Sequence, residues 1–270
     1  MSGYSCEILA DSVNPIGQRV TTVQIRLPLT AAWPQFLTHR RFSRNARSNR
    51  AVPSWVLISE VLRNPFVPEF WGQNKSGMQA GAELTGCRRW MAREVWLKAR
   101  YPAIAAAWIM SRAGLHKQDA NRVMNPWQWI DAVVTGEESA WQAFFALRCH
   151  ELADPKIQKI AEMICDKIAN SDPLHLKWGQ WHLPYYRDQS ETPMERTLWA
   201  SAGACARVSY RCFDGTHSDK ENAALGRRLA SEKPAHASPL EHVLQASHIE
   251  KSQPGPVGGL WRSLRQIEGV

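Results

Sequence analysis

Two stretches of the chain hold residue types able to do chemistry at close spacing. The first is Gln35-x-x-Thr38-His39-Arg40-x7-Ser48-x-Arg50, and the second is His236-Ala-Ser238-Pro-Leu-Glu241-His242. Guanidinium groups make bidentate, permanently charged contacts to phosphate, and a serine hydroxyl beside loop amides completes such a cradle, so Ser48 and Arg50 suit an anionic ligand. Between Thr38 and Arg50 stand five arginines, Arg40, Arg41, Arg44, Arg47 and Arg50, with no acidic residue among them. His236, Glu241 and His242 offer imidazole and carboxylate groups to a metal. Three such ligands within seven residues, interrupted by Pro239, is weak metal-ligand spacing, and no metal is expected.

These residues need elements to position them. Val20 to Leu29 is rich in β-branched residues with apolar and polar positions alternating, which predicts a strand closed by Pro28. Ala31 to Arg41 places Ala32, Trp33, Phe36 and Leu37 at helical spacing, with Pro34 tolerated in the first turn, and this helix would deliver Thr38-His39-Arg40 at its end. Asn64 to Gly86 reads as a long loop, and Ala82 to Ala113 as a long helix bent by Pro102 and capped by Gly114. Ser139 to Ala169 reads as helix broken at Asp154-Pro155, an N-cap followed by proline. Residues 170–194 form a connector whose aromatic content suits a covering segment better than a free linker. Glu195 to Tyr210 and Asp219 to Ser231 are expected as helices and His242 to Ile249 as a strand. A single domain over 1–252 is expected, with a peripheral tail at 253–270.

Composition bounds the rest. The chain has 270 residues, enough for a sizeable core without staples. Apolar residues are 44%, charged residues 21% and mean hydropathy is -0.39, which argues against both a disordered polyelectrolyte and a membrane protein. The longest apolar stretch, Tyr101 to Met110, is about half a bilayer span. The N-terminal residues lack the blocks of a signal peptide, so a reducing cytoplasm is expected, with the six scattered cysteines as inert thiols. A net charge of +8 favours an anionic ligand, nucleotide or nucleic acid. Trp127, Trp129 and Trp141 are expected in the core rather than as base-stacking platforms.

The two stretches resemble the signatures of the flavin-dependent thymidylate synthases. That family carries R-H-R-x7-S followed two residues later by Arg, and this chain has T-H-R-x7-S-x-R; the family's H-x-S/T-P-F-E-H is H-A-S-P-L-E-H at His236 to His242. Ala206-Arg207-Val208-Ser209-Tyr210 resembles its A-R-V-S. Phe70 to Gly77 resembles its F-Y-x-P…N-K-Q-G-S loop, Asn121 to Met124 its A-R-x-V-L-P, and Ala143 to Arg148 its N-F-L-x-L-R. The order is inverted, since the family places the H-x-S-P segment before the R-H-R helix, and a circular permutation is the simplest explanation.

The resemblance implies an α+β fold, a twisted and mainly antiparallel sheet flanked by helices, assembled as a homotetramer. It implies methylene transfer from methylenetetrahydrofolate to C5 of dUMP, with reduced FAD as hydride source and NADPH as reductant, and the cofactor carrying the difficult chemistry. Carried over by motif, Gln35, Ser48, Asn49, Arg50, Arg122 and Arg148 would hold the nucleotide. Arg122 and Arg148 would be the catalytic pair, with Arg148 stabilising charge on the pyrimidine. His39, Arg40, Asn45, Ser238 and Glu241 would contact flavin, and His236 would lie where folate approaches; His242 is either a hydrogen-bonding group or a ligand contact.

This chain departs from the pattern at Thr38 and Ala46, and it has Glu137, Ser139 and Leu152 where the family grips FAD. Arg41 and Arg44 are candidates to compensate. Such rewiring points to a divergent C5-pyrimidine enzyme, either a thymidylate synthase or a hydroxymethylase acting on dUMP or dCMP, as some viruses use to make modified DNA. The rival reading is a non-catalytic descendant that binds nucleotide or nucleic acid through the basic run; free nucleotide is the expected partner.

Overall fold

Strand chemistry is concentrated in three segments that pair side by side. β1 (Ser5–Val13), β2 (Arg19–Pro28) and β4 (Trp129–Glu137) are antiparallel neighbours, and β3 (Ser43–Ala46) extends the sheet beyond β4. β5 (Leu174–His175) closes the other edge, parallel to β1, giving the order β3-β4-β2-β1-β5. A second sheet, β6-β7-β8, joins Trp181–His182, Leu244–Ala246 and Trp261–Ser263. The structure is a computed structural model and describes residues 3–186, 195–249 and 256–270.

Alternation along the strands divides the five-stranded sheet into two faces. Val23, Ile25, Leu27, Ile130, Ala132 and Val134 share one face, covered by α1 (Trp33–Leu37), α5 (Glu138–Arg148) and α6 (Pro155–Ala169) through Phe36, Trp141, Phe144, Ile157 and Ile160. The other face carries Ser12, Thr22, Thr135, Val133 and Asn45 in register. It is covered by α7 (Glu195–Arg207) through Cys205 and by the small sheet through Leu244 and Trp261. α8 (Asp219–Ser231) packs on α7, with a capping box at Ser218 and Glu221.

A satellite cluster lies outside this sandwich. α2 (Ser54–Arg63), α3 (Gly86–Arg112) and a 3-10 helix at Asn121–Trp127 share Leu57, Val61, Ile104, Met124 and Trp127, and α4 (Lys117–Ala120) packs on α3 and the 3-10 helix. The long loop, the Pro102-containing helix and the Asp154 N-cap, whose carboxylate accepts from the Lys156 amide, stand where the sequence predicts them.

Two expectations are corrected. The helix read over Ala31 to Arg41 ends at Leu37, because Arg44 turns back from β3 and donates to the carbonyls of Leu37 at 3.0 Å and His39 at 3.2 Å, closing the turn. The tail is not peripheral: β8 pairs with β7, Trp261 is 1% exposed, and α9 (Leu264–Glu268) follows with its own capping box. Residues 187–194 of the connector and 250–255 lie outside the described residues.

Candidate functional site

Three groups of side chains hold the residues singled out by the motifs. The first forms around α1, where Trp33 and Phe36 are buried and the helix end faces α5. Arg148 Nε donates to His39 Nε2 at 2.9 Å, Nη1 to Gln35 Oε1 at 3.3 Å, and Nη2 to Thr38 Oγ at 3.2 Å. The Gln35 amide in turn donates to Asp154 at 3.1 Å. Burial first, then Arg148 and Arg44, hold the His39 imidazole below the ordinary histidine range. Arg40 is exposed beside this group.

The second group is the Ser48–Val52 loop. The Ser48 amide donates to the Ser209 carbonyl at 2.9 Å, and the Ser48 hydroxyl accepts from the Arg50 amide at 3.2 Å. Asn49 donates to Asn125 Oδ1 at 2.9 Å, while Asn121, fully buried on the 3-10 helix, donates to the carbonyls of Asn49 and Val52. Arg50 and Arg122 are both exposed. Replacing Asn121 with Ala strips two loop carbonyls of their donor; the expected loss is about 2 kcal/mol of stability, with faster hydrogen exchange at the Ser48 to Val52 amides. Unchanged exchange there would remove Asn121 from this role.

The third group is a cleft of about 360 Å³ between β3, the end of α7, α8 and the 3-10 helix Ser238–His242. Arg44, Asn45, Ala206, Ser209, His236 and Ser238 line it, with Glu232 opposite, 3.5 Å from His236. Pro239 and Leu240 are buried and anchor the segment that presents Ser238. Glu241 accepts from Arg265 at 2.5 Å, so it is tied to α9 rather than open. Asn45 and Ser238 stand far apart in the chain, yet they share one wall-to-wall cavity. A second cavity of about 300 Å³ adjoins at Ala206 and Ser209 and contains Arg207, Arg211 and His217.

The five-arginine run does not form one basic patch. Arg47 is paired bidentately to Glu60 at 2.7 and 2.9 Å, Arg44 closes the turn after α1, and Arg41 donates to Ser139 at 2.5 Å and lies 4.0 Å from Glu137. Arg41 therefore engages two of the positions that depart from the family pattern. Glu137 also accepts from the Gly258 amide, and Leu152 is exposed.

Sequence reasoning did not find the most buried polar feature. On the sheet's second face Thr135 Oγ lies 2.7 Å from His242 Nδ1 and 2.6 Å from Thr22 Oγ, Thr22 lies 2.7 Å from His182 Nε2, and His182 Nδ1 lies 2.9 Å from Ser12 Oγ. His182 and His242 are wholly buried, and His242 Nε2 has no partner. His242 makes a hydrogen bond at Nδ1, the first of the two roles open to it. A threonine opposite a threonine in neighbouring strands was the only available signal.

All six cysteines are free. Burial pushes the thiols of Cys6 and Cys212 up to about 12 and that of Cys149 up to about 11, and it also raises Cys165 and Cys205, so these are protonated and poor nucleophiles at neutral pH. Among the described residues no cluster of His, Cys, Asp or Glu forms a metal site, and no helix is long and apolar enough to cross a membrane.

The sequence matches no protein-family model and no curated protein. Among solved structures, the fold is similar to that of a UMP/dUMP methylase, PolB from Streptomyces cacaoi. With its 5-Br UMP complex the TM-score is 0.54 at 16% identity, over 65% of this chain and 91% of that one. With its 5-Br dUMP complex the TM-score is 0.52 at 15% identity, over 64% and 92%. Over the part they share, this chain and that methylase have one α+β fold in common.

Proposed function

We propose that this chain transfers a one-carbon unit from methylenetetrahydrofolate to C5 of a pyrimidine deoxynucleoside monophosphate, dUMP or dCMP, as a circularly permuted relative of the flavin-dependent thymidylate synthases. One observation carries the reading: Ala206 and Ser209 of A-R-V-S, His236 and Ser238 of H-A-S-P, and Asn45 of the arginine-rich arm line a single cleft, although their chain order is inverted. Contacts rather than chain order define a fold, so a permuted sequence can rebuild one site. The methylase with the similar fold is described as acting on UMP and dUMP.

In this reading Ser48, Asn49, Arg50 and Arg122 receive the phosphate end of the nucleotide and Gln35 and Arg148 the pyrimidine. Arg148 there stabilises negative charge on a ring oxygen as C5 becomes nucleophilic. The cleft has the size of one ring system rather than of a dinucleotide. Its Asn45 amide and Ser238 hydroxyl suit the polar edge of a flavin, while His39, Arg40 and Glu241, which the resemblance assigns to the same cofactor, do not line this cleft. Bound there, reduced FAD would supply hydride for methylation. A hydroxymethylase would add water instead, and His236 would face the folate in either case.

The nucleotide residues fall into two separate groups, which fits a site completed between copies in a homotetramer. The outer side of α3 exposes Trp90, Met91, Val95, Trp108 and Ile109, an apolar surface suited to such packing. Light scattering is expected to give a tetramer, and a monomer would remove this part of the reading. The nucleic-acid alternative is weakened because Arg44 and Arg47 are spent on internal contacts.

The deciding experiment is product mass from dUMP and from dCMP with methylenetetrahydrofolate, FAD and NADPH. A gain of methyl or hydroxymethyl is expected, and no product from either nucleotide overturns the reading. Arg50→Ala is expected to weaken nucleotide binding more than about tenfold, because a charge-assisted contact contributes roughly 1.5–3 kcal/mol. The exposed position makes this variant fold normally, so unchanged affinity would remove Arg50 from the phosphate role.

A further inference from the structure

All three nitrogens of the Arg148 guanidinium donate to α1 and the turn that ends it. Nε is held by His39, Nη1 by the Gln35 side chain, and Nη2 by Thr38 Oγ, with the Gln35 carbonyl at 3.5 Å. A guanidinium has no acceptor and does not lose its proton, so His39 Nε2 must present a lone pair and the imidazole must carry its proton on Nδ1. Thr38 is what allows the approach. Its hydroxyl donates to the Gln35 carbonyl at 2.7 Å and leaves its oxygen to accept from Arg148. An arginine at this position, as in the R-H-R signature, would set two guanidinium groups against each other.

We propose that α1 with Thr38 and His39 forms a latch that holds Arg148 until a pyrimidine mononucleotide draws it away, His39 being the positioning residue that sets the latch. The proposal rests on Arg148 being a nucleotide contact, as proposed above. The ring oxygens of the pyrimidine are the competing acceptors, and every hydrogen bond Arg148 makes to them is exchanged for one made to α1.

The latch couples binding to a proton. Two cations face His39, Arg148 on α5 and Arg44 on β3, whose guanidinium donates to the His39 carbonyl; Arg40 and Arg41 follow it in the chain, and Arg41 is turned to Ser139 and Glu137. The acids are remote, Asp154 on α6 reaching His39 only through Gln35 and Arg148, and Glu241 facing Arg44. Phe144 packs its ring against the imidazole at 4.9 Å. While Arg148 is latched the imidazole stays neutral, and when Arg148 leaves one cation departs and His39 takes up a proton more readily. Nucleotide binding then takes up a proton between the latched and released titration points, and affinity rises as pH falls through that window.

Side-chain NMR of His39 in the full chain tests this with and without saturating dUMP. The free protein is expected to show the Nδ1–H tautomer. Arg148→Gln is expected to raise the His39 titration point by about one pH unit, the size of shift a single neighbouring charge produces. dUMP should produce a rise of the same sign in the native protein and none in Arg148→Gln. A proton found on Nε2, an unmoved titration point in Arg148→Gln, or bound dUMP that leaves His39 unchanged overturns the latch. If dUMP fails to bind at all, it is the nucleotide reading that fails, and the comparison of the native chain with Arg148→Gln still decides whether His39 holds Arg148.

Discussion

Lowering the pH from 6 to 4 is expected to remove about 5 kcal/mol of the stability of this protein. His182 and His242 are fully buried and hydrogen-bonded to Ser12, Thr22 and Thr135. Burial brings their titration points down to about 4 and about 3, the second helped by the nearness of His182. In the unfolded chain both take up protons at the ordinary histidine value, near pH 6.5. The unfolded state therefore binds more protons than the native state between about pH 6 and pH 4, and stability falls as pH falls. Each such group contributes about 1.4 kcal/mol per pH unit, so the pair contributes about 2.7 kcal/mol per unit across that window. Against a typical stability of about 5–15 kcal/mol, two pH units are decisive. Urea-unfolding midpoints at pH 7, 6, 5 and 4 measure this directly. A double variant with His182→Gln and His242→Gln should be less stable at pH 7 yet show a much flatter dependence. A native midpoint that is the same at pH 6 and pH 4 would sink the prediction.

Gly203→Val is expected to prevent α7 and α8 from docking. A Cβ at Gly203 would stand 1.9 Å from the Asn222 carbonyl oxygen, and one at Gly226 would stand 2.6 Å from the Trp199 carbonyl oxygen. The obstacle in both cases is backbone, which cannot rotate aside, so the helices must separate. Separation would also pull Asn222 from Arg207, to which it is bonded at 2.5 Å, and from Tyr186. Overpacking of this kind costs about 3 kcal/mol or more. Because Ala206 and Ser209 line the cleft, ligand binding should fall with it. Thermal melting compared with Lys220→Ala, an exposed change on α8, is the measurement; a Gly203→Val melting point close to the native one would mean that the helix contact is adjustable.

The strands and helices that were legible had a local signal. β2 announced itself by alternating β-branched residues, and α6 by Asp154-Pro155. β4 did not, because Trp129–Glu137 holds only two short apolar runs, Trp129-Ile130 and Ala132 to Val134, split by Asp131 and ended by Thr135, and runs that short carry no period. β8 was hidden in a Gly/Pro-rich segment, since three residues around Trp261 show no periodicity at all. The site divided in the same way. Gln35, His39, Asn45, Ser48 and Ser238 came from motifs, while the contact of Thr22 with Thr135 and His182 joins residues more than a hundred positions apart and is expected of no local pattern. Thr22 within a β-branched strand is what strand propensity alone would place there.

The cleft has one wall from β3, near the start of the chain, and another from Ser238 and Pro239, made much later. During synthesis the five-stranded sheet and its first helical layer have all their residues long before the segment that covers the second face exists. Thr22, Thr135 and Asn45 would stay in water through that interval, a wait their hydroxyl and amide groups tolerate and a leucine row would not. The hydroxyl and amide groups on this face thus leave less apolar surface bare on a half-made chain than a leucine row would, and the cleft becomes able to hold a ligand only once the later residues have settled over it.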